Sequence, residues 1–333
     1  MREIDYASAV TEAIHQAMAA DPRVIVLGEG VGIHGGPFGV TLGLREAFGP
    51  ERVIDTPISE NTFTGAAIGA AMTGLVPIVE LMFVDFALLA MDQILNQAAK
   101  THYMTGGVHS VPVVIRTNIG AYAGAGAQHA QNLHAFFAHS PGLLVAMPSN
   151  PYDAKGLLLT AVVAGNPVVF IEHKRLYKTS RGPVPEVPYK VPFGQAATLR
   201  HGTDATVVAL AGMVDVADRA AEIVEEEGIS VDLIDPRTLV PFDLETIVGS
   251  IRKTGRLIVV DEGSRRCGAA RDIASAVTEA AFDYLDAAPG IVTPPDTPVP
   301  FAPTLFNAWM PGPGDVAAEI RRVVGRREVA ERQ

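Results

Sequence analysis

Two glutamates and one histidine in this chain stand where α/β proteins place side chains that do chemistry. Glu60 closes the polar turn Asp55-Thr-Pro-Ile-Ser-Glu60 and leads straight into Asn-Thr-Phe-Thr-Gly-Ala-Ala-Ile-Gly-Ala-Ala-Met-Thr-Gly74. Ser59 is a candidate N-cap, and the Gly/Ala spacing leaves a helix smooth enough for another backbone to approach closely. In a first turn the helix dipole favours the Glu60 anion, while the apolar run behind it removes water. A carboxylate between those opposing effects is a candidate for proton chemistry, and an ordinary capping role is the alternative. Glu29 follows the apolar run Val24-Ile-Val-Leu-Gly28 and opens Gly30-Val-Gly-Ile-His-Gly-Gly-Pro37. The C-terminal end of a parallel strand is where ligand-facing groups sit, though a structural role there is equally open. The loop has no Gly-Lys-Ser/Thr ending, and its glycines do not open a helix as a Gly-x-Gly-x-x-Gly fingerprint does, so it is no phosphate loop. His129 ends a third such stretch, Asn118-Ile-Gly-Ala-Tyr-Ala-Gly-Ala-Gly126-Ala-Gln-His129. Glycine lets a backbone approach a ligand closely, which favours a functional His129. His129, His134 and His139 recur every five residues, off any common helical face, which argues against a metal site made from the three.

Alternating short apolar runs and helical stretches must position these groups. The spacing of Ile4, Ala7, Val10, Ile14 and Met18 predicts a helix over 4–20. Strands are expected at 52–55, 76–83, 111–116, 143–147 and 168–172, and helices at 41–48, 61–74, 86–102 and 153–164. Such alternation predicts a mostly parallel sheet with helices on both faces. The proline-rich stretch 181–194 is the best domain boundary. Beyond it the pattern restarts, with strands at 205–211, 230–234 and 256–261 and helices at 214–227 and 267–284. The charged tail 321–333 is expected to be helical or frayed. The apolar segment 65–95 contains Pro77, Glu80, Asp85 and Asp92, each costly in hydrocarbon, and reads as buried core rather than a membrane span.

Length and composition set outer bounds. A chain of 333 residues exceeds what one core usually accommodates, so two domains are the default. Hydrophobic residues at 48% against 19% charged suit a large core or extensive subunit contacts. A net charge of −11 disfavours a general electrostatic footprint on nucleic acid. The single Cys267 excludes an intrachain disulfide framework. With a start lacking the basic-then-apolar pattern of a signal peptide, it points to the cytoplasm.

Several stretches together resemble one family, the β subunits of thiamine-diphosphate-dependent E1 components of 2-oxo acid dehydrogenase complexes. They are Asp55-Thr-Pro-Ile-Ser-Glu60, Val79-Glu-Leu-Met-Phe-Val-Asp-Phe86, Asp92-Gln-Ile-Leu-Asn-Gln-Ala-Ala-Lys100 and Ala127-Gln-His129. Pro141-Gly-Leu143, Pro151-Tyr-Asp-Ala-Lys-Gly156, Asp235-Pro-Arg-Thr238, Asp261-Glu262 and Thr297-Pro-Val-Pro-Phe301 complete the set, in order along nearly the whole chain. Among subfamilies, the Met-Phe-Val-Asp-Phe and Glu172-His-Lys stretches look closest to acetoin- or pyruvate-type members.

The resemblance implies a transketolase-like pyrimidine-binding domain over 1–180, a linker over 181–200, a transketolase C-terminal α/β domain over 201–325 and a tail over 326–333. It implies that Glu60 shares a proton with the aminopyrimidine ring of thiamine diphosphate and so activates the thiazolium carbon. Ile58, Met82 and Phe86 match positions that pack on that ring. His129 matches the family histidine that handles protons or orients acyl transfer to the lipoyl group. Where the family usually has Ser after that histidine, this chain has Ala130. The family also carries a monovalent cation, usually potassium, on backbone carbonyls, and the matching positions are Val113, Ala161, Val162, Ala164 and Asn166, with Ala164 replacing a common aspartate. No Gly-Asp-Gly occurs, so Mg²⁺ and the diphosphate are expected on a separate α subunit, in an α2β2 heterotetramer serving an E2 lipoyl acyltransferase. The implied activity is decarboxylation of pyruvate or a branched-chain 2-oxo acid, or cleavage of acetoin. A diverged carbon–carbon bond enzyme without a lipoyl partner and a non-catalytic partner subunit are the alternatives.

Overall fold

Runs of branched apolar residues make short, fully buried strands, and these organise the computed structural model, which describes residues 2–330. The chain divides into two units. The first takes residues up to Ile119, Phe136–Phe193 and Leu239–Pro241, and the second takes Gly120–Ala135, Gly194–Thr238 and everything from Phe242 onward.

In the first unit six strands lie parallel in the order Leu144–Ala146, Val168–His173, Val114–Ile119, Val76–Glu80, Val24–Gly28 and Val53–Asp55, and Thr238–Val240 lies at one edge. Alternate residues of these strands, Val24, Val26, Ile78, Val114, Val168 and Phe170, share one core with the helices Tyr6–Ala20 and Pro151–Val162. Lys155, 0% exposed, leaves that second helix to donate to the carbonyls of Pro185 at 2.6 Å, Glu186 at 3.1 Å and Val187 at 3.2 Å. A buried ammonium needs such partners, and here they fasten the proline-rich stretch to the unit. Gly28 ends its strand so close to Val76–Glu80 that a Cβ would meet the Glu80 carbonyl oxygen at 2.7 Å.

The second unit holds five strands in the order Gly290–Val292, Leu257–Val260, Ala205–Ala209, Val231–Asp235 and Ala197–Arg200. All pairs are parallel except the last, which is antiparallel with a register shift between Leu233 and Ile234. Its core is built from the strands and from the helices Met213–Glu225 and Pro313–Ala330. Among the described residues no helix is long and apolar enough to cross a membrane.

Several elements depart from the sequence reading. Residues Arg2–Asp5 form a strand paired antiparallel with Arg181–Val184, so the first helix begins at Tyr6, capped by the Asp5 carboxylate accepting the Ser8 N–H at 2.8 Å. The expected strand over 111–116 runs instead over Val114–Ile119. The expected helix over 41–48 shrinks to Leu44–Phe48 behind Gly43, whose left-handed backbone blocks an earlier start. The expected single helix over 86–102 is four segments, Val84–Ala87, a 3₁₀ turn Leu88–Ala90, a π-helix Asp92–Ala98 and Ala99–Met104. Strands Ala197–Arg200 and Gly290–Val292 have no apolar run long enough to announce them. Of the tail, Arg321–Ala330 continues a helix, and 331–333 lie outside the described residues.

Candidate active site

Glu60 is the first residue of the helix Glu60–Met72 and is 7% exposed. It follows the C-terminal end of strand Val53–Asp55, the end of the parallel sheet at which ligands bind in open α/β folds. Ser59 occupies the N-cap position without capping, because its hydroxyl donates to the Pro57 carbonyl at 3.2 Å instead. Glu29 lies near enough to feel Glu60. Burial, then the Glu60 charge, pushes the Glu29 carboxyl above the usual range, so it holds its proton longer than an exposed glutamate does. Two further polar atoms in this stretch, the hydroxyls of Thr56 and Thr64, are buried without a hydrogen-bond partner.

The loop after Glu29 is pinned from the same strand end. The Asp55 carboxylate accepts the N–H groups of Gly32 at 2.7 Å and Ile33 at 3.2 Å and pairs with Arg45 at 2.5 Å. Strand Val76–Glu80 stops short of the expected 76–83, which leaves Met82 in a turn and Phe86 in the short helix Val84–Ala87, both half-buried. Asn118 holds that turn by donating to the Met82 carbonyl at 2.7 Å. Phe86 meets Phe83 edge-on at 5.9 Å, Phe83 meets Phe38 at 5.9 Å, and Phe38 stacks on Tyr177 at 4.9 Å. Ile58 is 82% exposed, as are Leu89 at 62% and Leu88 at 45%. Helix Glu60–Met72 packs on the 3₁₀ and π segments, and Gly65 makes room for Gln93, whose Oε1 a Cβ would meet at 3.1 Å.

Behind these lies a charged cluster that the sequence pattern did not single out. On neighbouring strands, Arg116 pairs with Glu80 and donates through Nε to Glu172 at 2.6 Å, and the Tyr177 hydroxyl donates to Glu172 at 2.8 Å. All four are buried. Charged residues inside apolar strand runs were the available signal, since such residues are rarely buried unless paired.

His129 is in the second unit, exposed on the loop between Gly120 and His134. Ala130 beside it is 0% exposed and packs with Ala121, Val299 and Trp309, so the position that usually carries Ser in the resembling family is filled here by an apolar contact. The proposed cation residues stand at the other end of the first sheet from Glu60, where the helix Pro151–Val162 ends and strands Val114–Ile119 and Val168–His173 begin. There the Val113 carbonyl accepts the Val168 N–H at 2.9 Å, the Ala161 carbonyl accepts the Ala164 N–H at 3.2 Å, and the Ala164 carbonyl accepts the Asn166 side-chain amide at 3.3 Å. The structure thus brings Glu60 beside Glu29, keeps Ile58, Met82 and Phe86 in the same unit, and sets the carbonyl group apart.

Comparison with known proteins matches residues 2–180 to the transketolase pyrimidine-binding domain and 194–316 to the transketolase C-terminal domain. The β subunit of an acetoin:2,6-dichlorophenolindophenol oxidoreductase from Cupriavidus necator is 47% identical over 333 residues, covering 97% of this chain and 98% of that one. The pyruvate dehydrogenase E1 component subunit beta of Rickettsia conorii is 46% identical, covering 96% and 98%. The 2-oxoisovalerate dehydrogenase subunit beta of Bacillus subtilis is 41% identical, covering 97% and 99%. Among solved structures, a split-gene transketolase described as an inactive β4 tetramer aligns with a TM-score of 0.75 at 25% identity, covering 97% of this chain and 98% of that one.

Proposed function

The chain belongs to the family of E1 β subunits of 2-oxo acid and acetoin dehydrogenases, with transketolase pyrimidine-binding and C-terminal domains, and from that membership we propose how its own residues serve the reaction. It is the β chain of a thiamine-diphosphate enzyme that decarboxylates pyruvate or a branched-chain 2-oxo acid, or cleaves acetoin. The acyl group passes to the lipoyl group of an E2 acyltransferase. The observation that carries this reading is Glu60, buried at a helix start beside a second glutamate at the ligand-binding end of a parallel sheet.

The residues present fit an aminopyrimidine. A carboxylate withdrawn from water, a thioether and an aromatic ring are the hydrogen-bonding and apolar groups that would hold such a ring. Thiamine diphosphate supplies the electron sink on which the bond beside a carbonyl breaks. Glu60 holds or moves a proton at the edge of the pyrimidine ring, and its poor access to water keeps that exchange with the ring rather than with solvent. Glu29, its carboxyl raised by burial and then by the Glu60 charge, is the acidic neighbour that Glu60 meets at this end of the sheet. Met82 and Phe86 bind and orient the ring, Ile58 lies at its rim, and His129 handles a proton or orients the acyl acceptor.

Mg²⁺ and the diphosphate fall to an α subunit in an α2β2 assembly, since no Gly-Asp-Gly is present to hold them. The exposed Ile58, Leu88 and Leu89 beside the site suit a surface that such a subunit covers. The β4 tetramer noted as inactive is in keeping with a chain that needs a separate partner. A potassium ion would sit on the carbonyls of Val113, Ala161, Val162 and Ala164 with Asn166, where the negative end of a helix dipole favours a cation. The test is reconstitution with the α chain, thiamine diphosphate and Mg²⁺, followed by turnover on pyruvate, branched-chain 2-oxo acids and acetoin, read as acylation of a lipoyl domain. Full cofactor binding with no turnover on any of them would contradict the assignment.

A further inference from the structure

The loop that carries His129 is tied at both ends to one acidic pair at the close of strand Leu257–Val260. Glu262 is 4% exposed, and its Oε1 accepts the Ala121 N–H at the start of the loop and the Asn132 side-chain amide at its end, the latter at 3.4 Å. Asn132 turns its own Oδ1 to accept the Gly120 N–H at 3.0 Å. Three bonds thus close the neck of the loop. Next to them Asp261 pairs with His134 at 3.1 Å, with side chains 2% and 1% exposed, while its Oδ1 accepts the Gly263 N–H at 3.0 Å. The fit is close, because a Cβ on Gly263 would lie 2.8 Å from the His134 ring.

Charge reinforces the geometry. Burial opposes protonation of His134, but the Asp261 carboxylate, then its hydrogen bond and the Glu262 charge, overcome it and raise the imidazole above its usual value. Burial likewise opposes the Asp261 anion, and His134 overcomes it. Between these anchors the loop is filled by Ala121 and Ala130 packing on Val299 and Trp309, and the Gly124 N–H donates to the Phe301 carbonyl at 3.1 Å. His129, three residues before Asn132, is exposed on this held loop, as are Tyr122 and Gln128.

A glycine-rich loop left to itself samples many backbone states, and a group meant to act at a fixed atom loses about a hundredfold when misplaced by about 1 Å. We propose that Asp261 and Glu262, acting through His134 and Asn132, are positioning residues that hold the 120–133 loop so that His129 stands in its working place. The inference rests on the role given to His129 above.

The test is Glu262→Ala in the assembled α-containing complex, read in two ways. Amide hydrogen exchange across 120–133 should quicken by at least about tenfold while the strands of the second unit stay protected. The kcat for acylation of the lipoyl domain should fall about a hundredfold with KM nearly unchanged. Glu262→Gln, which keeps an acceptor for Ala121 and Asn132, should restore most of both. In a His129→Ala background, Glu262→Ala should cost nothing further, because it acts through that side chain. Unchanged exchange in the loop, or an equal loss in both backgrounds, would overturn the proposal. If Glu262→Ala does not assemble, Asn132→Ala carries the same expectations from a half-buried position. Should the wild-type complex turn over no substrate, the functional reading fails by itself, and the exchange measurement still decides whether the clamp exists.

Discussion

The Arg116 guanidinium donates to the Glu172 carboxylate at 2.6 Å with both side chains closed off from water. Glu80 pairs with the same guanidinium from the other side, so one cation serves two carboxylates on the strands flanking its own. Taking three such groups out of water is costly, and mutual pairing is what makes the arrangement tolerable. Glu80 ends the strand from which the Met82 turn departs, so the pairing fixes that strand end against its neighbour Val114–Ile119.

Removing the shared cation should be severe. Arg116→Ala leaves Glu80 and Glu172 buried beside one another without their partner, and we expect a loss of about 3–5 kcal/mol in unfolding free energy by chemical denaturation. A loss under about 1 kcal/mol would mean that water reaches the cluster.

Glu80 makes a separate, pH-dependent prediction. Burial is the largest influence on its carboxyl, opposed by Arg116 and reinforced by Glu172, and it sits at about 7 rather than 4.5. A raised acid keeps its proton in the folded state after the unfolded chain has released it. Its contribution to stability therefore falls as pH rises from about 4.5 to about 7 and is level above that. Glu80→Gln, which stays neutral and still accepts from Arg116, should flatten the unfolding midpoint across that window.

Gly28→Ala should destabilise the first unit. Its new methyl group would meet the Glu80 carbonyl oxygen at 2.7 Å, a backbone atom that cannot swing aside. Overpacking of this kind costs about 1–3 kcal/mol, and a drop in thermal midpoint checks it.

How much of this was legible in the sequence depends on the signal each part leaves. The parallel sheet announced itself in Val24–Gly28 and Val76–Glu80, because strands buried on both faces read as unbroken apolar runs. The helix start at Glu60 was legible because a polar turn, an acid and a Gly/Ala run fall in sequence, although Ser59 does not cap it. The Glu80–Arg116–Glu172 cluster was not, since its members are 36 and 56 residues apart and meet only through strand pairing. The strand Arg2–Asp5 was hidden for the same reason, as its partner Arg181–Val184 lies within a proline-rich stretch that resembles a linker. The π-helix Asp92–Ala98 was hidden too, because an extra residue in a helical turn barely alters apolar spacing.

The proposed potassium site predicts ion-specific stability. An ion held on native carbonyls near Ala161 and Ala164 binds the folded chain alone, so a hundredfold excess over its dissociation constant should add about 2.7 kcal/mol. Thermal unfolding in potassium chloride against tetramethylammonium chloride at equal ionic strength checks it, and equal midpoints would remove the site.

Glu60 is proposed to handle the proton at the cofactor's pyrimidine ring. Its direct test is Glu60→Gln in the reconstituted α-containing complex with thiamine diphosphate and Mg²⁺. The measurement is cofactor affinity by titration together with kcat for lipoyl acylation. A proton-handling Glu60 requires a fall in kcat of about 10²–10⁴, the usual worth of a positioned proton-transfer group, with cofactor affinity changed far less. Turnover within about threefold of wild type at saturating cofactor would contradict it.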